Sequence, residues 1–256
     1  MISASGPQRR GTHDRARAEH ADLDAERVPP DDLTELLQLL LREEHASNKL
    51  TQKARAKLSA AEVKQHQRLR ILSATAHVIA EQGFWPATVA HICRAAGVSK
   101  KGFYQHFSGK EDAFLSLYDL IDLGIESLPA NLDTTDFATL VDTLASSYLN
   151  LLDRIPALTR LLLLQPLNAS TAIQQRRADS IARCTTVLHN VLDAEREAGL
   201  PIAMLSDAEI IALIGGVNEM CIQHIHHHGV AGMTQLQPAA RRFLTRLLHE
   251  DDPQPR

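Results

Sequence analysis

Capping residues and glycine stops divide residues 59–110 into short helical segments, and this punctuation constrains the fold more than any other feature of the chain. Ser59 and Glu62 have the spacing of a capping box, and Gly83 is a natural helix stop. We therefore predict a helix from about 60 to 82. Its buried face is predicted at Leu69, Leu72, Ala76 and Ile79.

Two shorter segments follow, separated by a glycine. Thr88 can cap a helix over 89–96 that stops at Gly97, and Ser99 can cap a second helix over 100–107. Two short helices joined by a tight glycine turn have the form of a helix-turn-helix unit. Apolar side chains would hold the two helices together: Ile92, Ala96, Val98, Phe103 and Phe107.

Amphipathic helices are predicted for the rest of the chain. Ser108 and Glu111 have the spacing of another capping box, which opens a helix to about Leu128. Further helices are predicted over about 134–153, 156–165, 169–198, 206–228 and 235–250. The chain has 12 glycines and few β-branched runs, which argues against a large sheet. The predicted fold is all-α, with a helix-turn-helix domain over 59–110 and a second helical domain over 111–250.

The N-terminal extension is polar and charged. We expect residues 1–30 to be disordered. Within 31–58, one helical face carries five leucines, Leu33, Leu36, Leu37, Leu40 and Leu41, which predicts a helix to about His45. This face would pack on the protein's own core or a dimer mate, with a separate partner as the alternative. The basic segment 46–58 is either a DNA-contacting arm or only a connector.

Charge and composition narrow the class of protein. The formal net charge is −4 overall, but residues 46–110 carry 11 Lys/Arg and 2 Asp/Glu, a balance of +9. This favours a polyanion site in that segment over a merely solvated basic face. A membrane span needs about 20 apolar residues, and the longest apolar run, 210–214, covers only five. The three cysteines are widely spaced, so we expect a reducing, cytoplasmic location and no membrane association.

The second short helix exposes side chains suited to DNA. Lys100 and Lys101 can donate to guanine O6 and N7, and Gln105 can read adenine. Tyr104 can donate to a phosphate, and the backbone N–H groups of the helix N-termini at Thr88 and at 108–110 can donate to phosphate oxygens.

The run from Leu69 to about Tyr118 resembles the DNA-binding domain of TetR/AcrR-type transcriptional regulators. The resemblance lies in ILSATAHVIAEQGFWPATVAHICRAAGVSKKGFYQHFSGKEDAF. It implies an all-helical homodimer, whose first three helices read DNA and whose C-terminal domain binds a ligand. It also implies phosphate contacts from Thr88, Tyr104 and Lys110, and base contacts from Lys100, Lys101, Gly102 and Gln105. The full predicted DNA-binding set is Thr88, Ser99, Lys100, Lys101, Gly102, Tyr104, Gln105, His106 and Lys110.

The C-terminal half is predicted to hold an effector pocket and the dimer contact. Candidate pocket residues are Phe137, Tyr148, Leu152, Leu162, Met204 and Asn218. Candidate dimer residues are Ile210, Leu213, Ile214, Val217, Met220 and Cys221. Core packing gives the same apolar patterns. His224 and His228 could form half a metal site, but neighbouring histidines diverge on a helix, so no metal or cofactor is predicted.

We therefore predict a homodimeric, sequence-specific transcriptional regulator that binds a palindromic operator in double-stranded DNA. A repressor released by an unknown small-molecule effector is the main hypothesis, and activation stays open. The alternative is a helical DNA-binding or architectural protein without a small-molecule response. No GxSxG, P-loop, GxGxxG or HExxH motif is present, so an enzyme is not expected.

Overall fold

The computed structural model describes residues 59–126, 132 and 134–249. In this part of the chain the backbone is helical, and its only β pairing is one isolated antiparallel bridge between Ile202 and His249. The predicted all-α fold is confirmed. The tail 1–30, the leucine-striped segment and the basic segment 46–58 lie outside the described residues.

Nine α-helices and two 3-10 segments follow one another along the described chain. The helices are α1 (Ala60–Gln82), α2 (Val89–Ala96), α3 (Lys100–Tyr104), α4 (Lys110–Glu126), α5 (Phe137–Arg154), α6 (Pro156–Leu164), α7 (Thr171–Glu197), α8 (Asp207–His228) and α9 (Gln237–Leu248). The 3-10 segments are Pro166–Asn168 and Met233–Leu236. None of these helices is long and apolar enough to cross a membrane.

Local capping chemistry sets the start of α1 as predicted. The Ser59 hydroxyl accepts from the Glu62 N–H at 3.2 Å, and the Glu62 carboxylate accepts from the Ser59 N–H at 2.7 Å. These hydrogen bonds lower the pKa of Glu62 below its ordinary value. The helix ends at Gly83, whose φ of 83° favours glycine.

Two predictions about the segments around α3 are wrong. The helix ends at Tyr104, not near residue 107, because the N–H groups of His106 and Phe107 both turn back to the Phe103 carbonyl, at 2.9 and 3.1 Å. The Phe107 side chain then enters the core. Before α4, both the N–H and the hydroxyl of Ser108 donate to Asp112, at 2.7 and 3.0 Å, so the capping partner is Asp112 and not Glu111.

Two apolar clusters make up the core. The first cluster includes residues of helices α1, α2, α3, α4 and α6 and of the start of α7. Its largest fully buried side chains include Phe103 and Phe114. The second joins α5, α8 and α9. Because α4 and α6 pack on α1, the helix-turn-helix unit is anchored on the helices that follow it.

The apolar face of α8 packs within the subunit, which corrects the predicted dimer contact. Ile210, Leu213, Val217 and Cys221 are between 0% and 8% exposed in the single chain. Burial also raises the pKa of the Cys221 thiol to about 11. These four side chains are therefore core residues. Of the six predicted dimer-contact residues, only Ile214 and Met220 are partly exposed to solvent.

The two adjacent glycines of α8 have different surroundings. A Cβ on Gly216 would lie 2.6 Å from the Phe243 ring of α9, whereas a Cβ on Gly215 would meet nothing within 4 Å. Gly216 is therefore required for the close packing of α9 in the same subunit.

The variant Gly216→Ala should lower the free energy of unfolding by about 1 kcal/mol. Overpacking costs about 1–3 kcal/mol, and the gain in helix propensity of about 1 kcal/mol offsets part of it. The matched variant Gly215→Ala should raise the free energy of unfolding by up to about 1 kcal/mol. Urea unfolding of both variants at equal protein concentration measures the difference, and equal effects would contradict the Phe243 contact.

Candidate DNA-binding site

Helix α3 and its C-cap residue Gln105 present four polar side chains to solvent. Lys100, Lys101, Tyr104 and Gln105 are all exposed, with Tyr104 at 57%. Behind them, Phe103 is fully buried and meets the Tyr104 ring edge-on at 5.4 Å between centroids. One face of this short helix is thus fixed in the core while the opposite face is free to contact a ligand.

The capping residues of α2 and α3 are exposed hydroxyl-bearing side chains. The Thr88 hydroxyl accepts from the His91 N–H at 3.2 Å, and the Ser99 hydroxyl accepts from the Gly102 N–H at 3.0 Å. Both capping residues are exposed. Each hydroxyl keeps its own proton available for donation to a phosphate oxygen.

Gly102 lies on the wrong side of α3 for the base contact that the family resemblance implies. It is buried, and a Cβ at this position would lie 2.8 Å from the Gln67 side-chain nitrogen on α1. Its role is close packing of α3 against α1. His106 is half-buried, with its ring tilted against Phe107, so it borders the exposed face.

Lys110 contacts the protein itself, contrary to the predicted phosphate contact. Its ammonium donates to three backbone carbonyls, those of Phe84, Ala87 and Trp85, at 2.6, 2.8 and 3.1 Å. It also lies 4.5 Å from the centre of the Phe84 ring. Burial lowers the pKa of this amine. An ammonium group has three protons, so the three carbonyls use all of its hydrogen-bond donors. Lys110 therefore holds the turn between α1 and α2 in place.

Arg70 is a second internal cation, and sequence reasoning missed it. Its guanidinium donates to the Ala96 carbonyl and, at 3.4 Å, to the Gly97 carbonyl, at the C-terminus of α2. Burial lowers the pKa of this group too. The signal in the sequence was a cation inside the apolar stretch of α1, next to the buried Leu69 and Ile71.

The charge of this unit is strongly positive. Residues 59–110 contain seven Lys/Arg and two Asp/Glu, a balance of +5. Two of the cations serve the internal contacts just described, and five remain toward the surface: Lys64, Arg68, Arg94, Lys100 and Lys101. Neither α2 nor α3 contains an acidic residue. This excess of positive charge suits a polyanion such as the DNA backbone.

The turn after α1 is joined to the body by direct hydrogen bonds. The indole N–H of Trp85 donates to the Asn168 carbonyl at 2.7 Å, and the Phe84 N–H donates to the Gln165 side chain at 3.2 Å. The same turn receives Lys110. These hydrogen bonds connect the helix-turn-helix unit to the segment between α6 and α7.

The predicted pocket residues do not form one group. Tyr148 donates to the Asn218 side chain at 2.5 Å, and Leu152 is buried in the same cluster. Phe137 contacts the His249 ring and packs against this second cluster as well, whereas Leu162 packs against the first core cluster. Met204 is 85% exposed, so it lines no enclosed pocket.

The histidine run at the end of α8 shows no metal geometry. His224 is buried with Nε2 3.0 Å from the Ala231 carbonyl, and its ring lies 5.1 Å from that of His228. Within 59–126 and 134–249, no three His, Cys, Asp or Glu side chains converge as a metal site would require.

Known proteins resemble this chain in the same region. The family model for bacterial regulatory proteins of the tetR family matches residues 71–117. The HTH-type transcriptional regulator HbdR of Aromatoleum sp. (strain CIB) is 33% identical over 70 residues, which cover 27% of this chain and 31% of that protein. The match therefore spans about a third of that relative's length.

Longer matches extend into the C-terminal half. The HTH-type transcriptional regulator SrpR of Pseudomonas putida is 29% identical over 153 residues, covering 57% of this chain and 69% of that protein. The transcriptional regulator FadR from Bacillus subtilis, solved in complex with stearoyl-CoA, is similar with a TM-score of 0.56 at 19% identity. That alignment covers 70% of this chain and 98% of the other, and it shows a shared fold.

Proposed function

Because the chain belongs, through residues 71–117, to the TetR family of bacterial regulatory proteins, we propose that it is a homodimeric, sequence-specific DNA-binding regulator. One observation carries the proposal. The exposed face of α3 bears Lys100, Lys101 and Tyr104, with Gln105 at its C-cap, while the opposite face is fixed in the core through Phe103. A short helix held in this way can enter a major groove and read base edges.

The contacts divide by chemistry. Lys100, Lys101 and Gln105 supply donors and an acceptor that suit base edges. Thr88, Ser99 and Tyr104 surround them with hydroxyls that can donate to phosphates. Phosphate contacts fix the register of the protein on DNA, and base contacts then select the sequence.

The dimer contact is proposed for the outer side of α8. Ile211 is 46% exposed there, and Gly215 has open space in front of it. A second copy related by a two-fold axis would cover this apolar surface and place two α3 helices symmetrically. The operator would then be palindromic, with half-sites about one helical turn, roughly 34–36 Å, apart.

We propose that the protein is a cytoplasmic repressor that a small molecule releases from its operator. FadR of Bacillus subtilis, which shares this fold, was solved in complex with stearoyl-CoA, and this supports a small-molecule effector for the present chain. The effector would favour a spacing of the two α3 helices that does not fit adjacent major grooves, so effector and operator would oppose each other. The hydrogen bonds of Phe84 and Trp85 to the α6–α7 segment support such coupling.

Selection from random duplex DNA with the purified full chain tests the proposal. Recovery of one palindromic site is the expected result, because a two-fold dimer reads the same bases twice. Salt-sensitive binding without any recovered motif would instead support an architectural DNA-binding protein. The recovered site then provides the probe for effector measurements.

Lys101→Ala should relax the sequence preference within each half-site. Loss of a lysine–guanine contact should cost about 1–3 kcal/mol of binding free energy on a site with the cognate base. It should cost little on sites that carry another base at that position. Fluorescence anisotropy with the selected site and single-base variants measures the change. The matched control is Arg242→Ala, which removes an exposed cation on α9, far along the chain from α3, and should leave the preference unchanged. An equal loss on all sequences would contradict base reading by Lys101.

A further inference from the structure

The segment that follows α3 uses its side-chain donors within the protein. The family resemblance implies a phosphate contact from Lys110, but its ammonium donates to three backbone carbonyls. The hydroxyl of Ser108 donates to the Asp112 carboxylate, and so does the Ser108 N–H. A phosphate oxygen near the C-terminal end of α3 therefore needs a donor from another part of the chain.

Arg68 of α1 lies beside this end of α3. Its guanidinium carbon is 5.5 Å from the centre of the Phe107 ring, and Phe107 directly precedes Ser108 in the chain. The Phe107 ring packs against that of Phe103 at 5.8 Å between centroids. Phe103 in turn meets the exposed Tyr104 at 5.4 Å. A continuous set of ring contacts thus connects Arg68 to the helix that is proposed to enter the DNA groove.

The neighbouring residue of α1 shows how closely the two helices pack. A Cβ at Gly102 of α3 would lie only 2.8 Å from the side-chain nitrogen of Gln67. Gln67 directly precedes Arg68, so two consecutive residues of α1 lie against α3 and against the residues that follow it. Because both belong to a long helix capped at Ser59, Arg68 is presented from a rigid element rather than from a loop.

The guanidinium of Arg68 keeps its hydrogen-bond donors available. The residue is half-buried, and within the described residues its guanidinium contacts the Phe107 ring but forms no hydrogen bond or ion pair. An arginine carries five N–H donors in one plane, and stacking on a ring occupies the face of that plane and leaves its edge free. Two parallel hydrogen bonds from this edge match the oxygens of a phosphate. Stacking also reduces the side-chain freedom that is lost on binding.

We propose that Arg68 binds a DNA phosphate next to the C-terminal end of α3 and takes the role that the family resemblance implies for Lys110. The proposal rests on the proposed DNA-binding function and adds to it a contact from α1. The major groove is about 12 Å wide, so a cation that borders a helix lying in it faces the sugar–phosphate wall. Arg68 would fix the register of α3 together with the phosphate contacts proposed for Thr88 and Ser99.

The salt dependence of DNA binding by the full chain tests the contact. On the duplex recovered by selection, Arg68→Gln should lower the slope of log affinity against log salt concentration by about 0.9 for each bound subunit. It should also weaken binding by about tenfold or more. Arg68→Lys keeps the charge but loses the planar fork, so it should keep the slope and bind with an intermediate affinity. The control Arg242→Gln removes an exposed charge on α9 and should change neither quantity.

Ethylation interference on the same duplex locates the contact. Ethylation removes the charge of a single phosphate and weakens binding wherever the protein contacts that phosphate. In each half-site, one phosphate that is sensitive with wild type should lose its sensitivity with Arg68→Gln and keep it with Lys64→Gln. Lys64 is the matched control, because it is an exposed cation on the same helix, one turn earlier. Identical sensitive phosphates with wild type and with folded Arg68→Gln, or loss of the same phosphate with Lys64→Gln, would overturn the contact.

The two proposals fail in different ways. If selection recovers no motif, the salt slope is measured on a duplex of arbitrary sequence. A slope reduced by Arg68→Gln on that duplex would support the phosphate contact and contradict the sequence-specific regulator. A recovered palindromic site that Arg68→Gln binds with the wild-type slope and affinity would leave the regulator and overturn the phosphate contact. Failure of the folded wild type to bind any duplex at low salt would overturn both.

Discussion

Asp122→Ala should lower the free energy of unfolding by about 3–5 kcal/mol, which is the usual cost of removing one partner from a buried ion pair. The Asp122 carboxylate is 5% exposed and faces Arg176, Arg183 and the Ser180 hydroxyl. Without it, the Arg176 guanidinium, whose side chain is 17% exposed, keeps only its outer contact with Asp119. The cations of α7 would then repel one another next to the core.

Asp119→Ala is the matched control, since this carboxylate contacts the same Arg176 from a side chain that is 54% exposed. An exposed ion pair contributes about 0–1 kcal/mol, so the control should lose no more than that. Urea unfolding followed by circular dichroism gives both values. Similar losses of unfolding free energy in the two variants would mean that burial of the carboxylate does not determine how much an ion pair of this α4–α7 network contributes to stability.

Most helix boundaries could be predicted because the signals that set them are local. The Ser59–Glu62 box, the caps at Thr88 and Ser99 and the stop at Gly83 each involve residues within a few positions of a helix end. Such signals act through backbone geometry that the sequence alone specifies. The end of α3 was missed because it depends on Phe107 entering the core, which is a tertiary effect.

Side-chain partners far along the chain could not be predicted in the same way. Arg70 contacts carbonyls 26 and 27 residues away, and Lys110 contacts carbonyls 23 to 26 residues away. A lysine near an exposed turn has the same sequence signature whether it binds a phosphate or a carbonyl. The difference arises from how α4 packs on α1, which places the ammonium over the turn after Gly83.

The apolar face of α8 shows a related ambiguity. A helix that buries one stripe in its own subunit and a helix that buries it in a partner carry the same periodicity. Burial of Ile210 and Val217 in the single chain resolves this in favour of the subunit core. The outer side of α8, with Ile211 and Gly215, could be proposed as the dimer contact only after the structure showed which side of the helix faces the core.

Lys110→Ala should lower the free energy of unfolding by about 1.5–3 kcal/mol, because it removes a charged donor from three carbonyls of the α1–α2 turn. The variant should remain mostly folded at 25 °C, since natural domains are stable by about 5–15 kcal/mol. Urea unfolding measures the loss. A smaller loss than that of Asp119→Ala would contradict an internal role.

The salt dependence of DNA binding then decides between the two roles of this lysine. A cation that binds a phosphate contributes about 0.9 to the slope of log affinity against log salt concentration. If Lys110 fixes the turn, as its contacts indicate, Lys110→Ala should keep the wild-type slope within error while losing stability. Lys101→Ala, which changes an exposed side chain on α3, should keep the wild-type stability. A slope reduced by about one unit in Lys110→Ala, with unchanged stability, would restore the phosphate contact that the family resemblance implies.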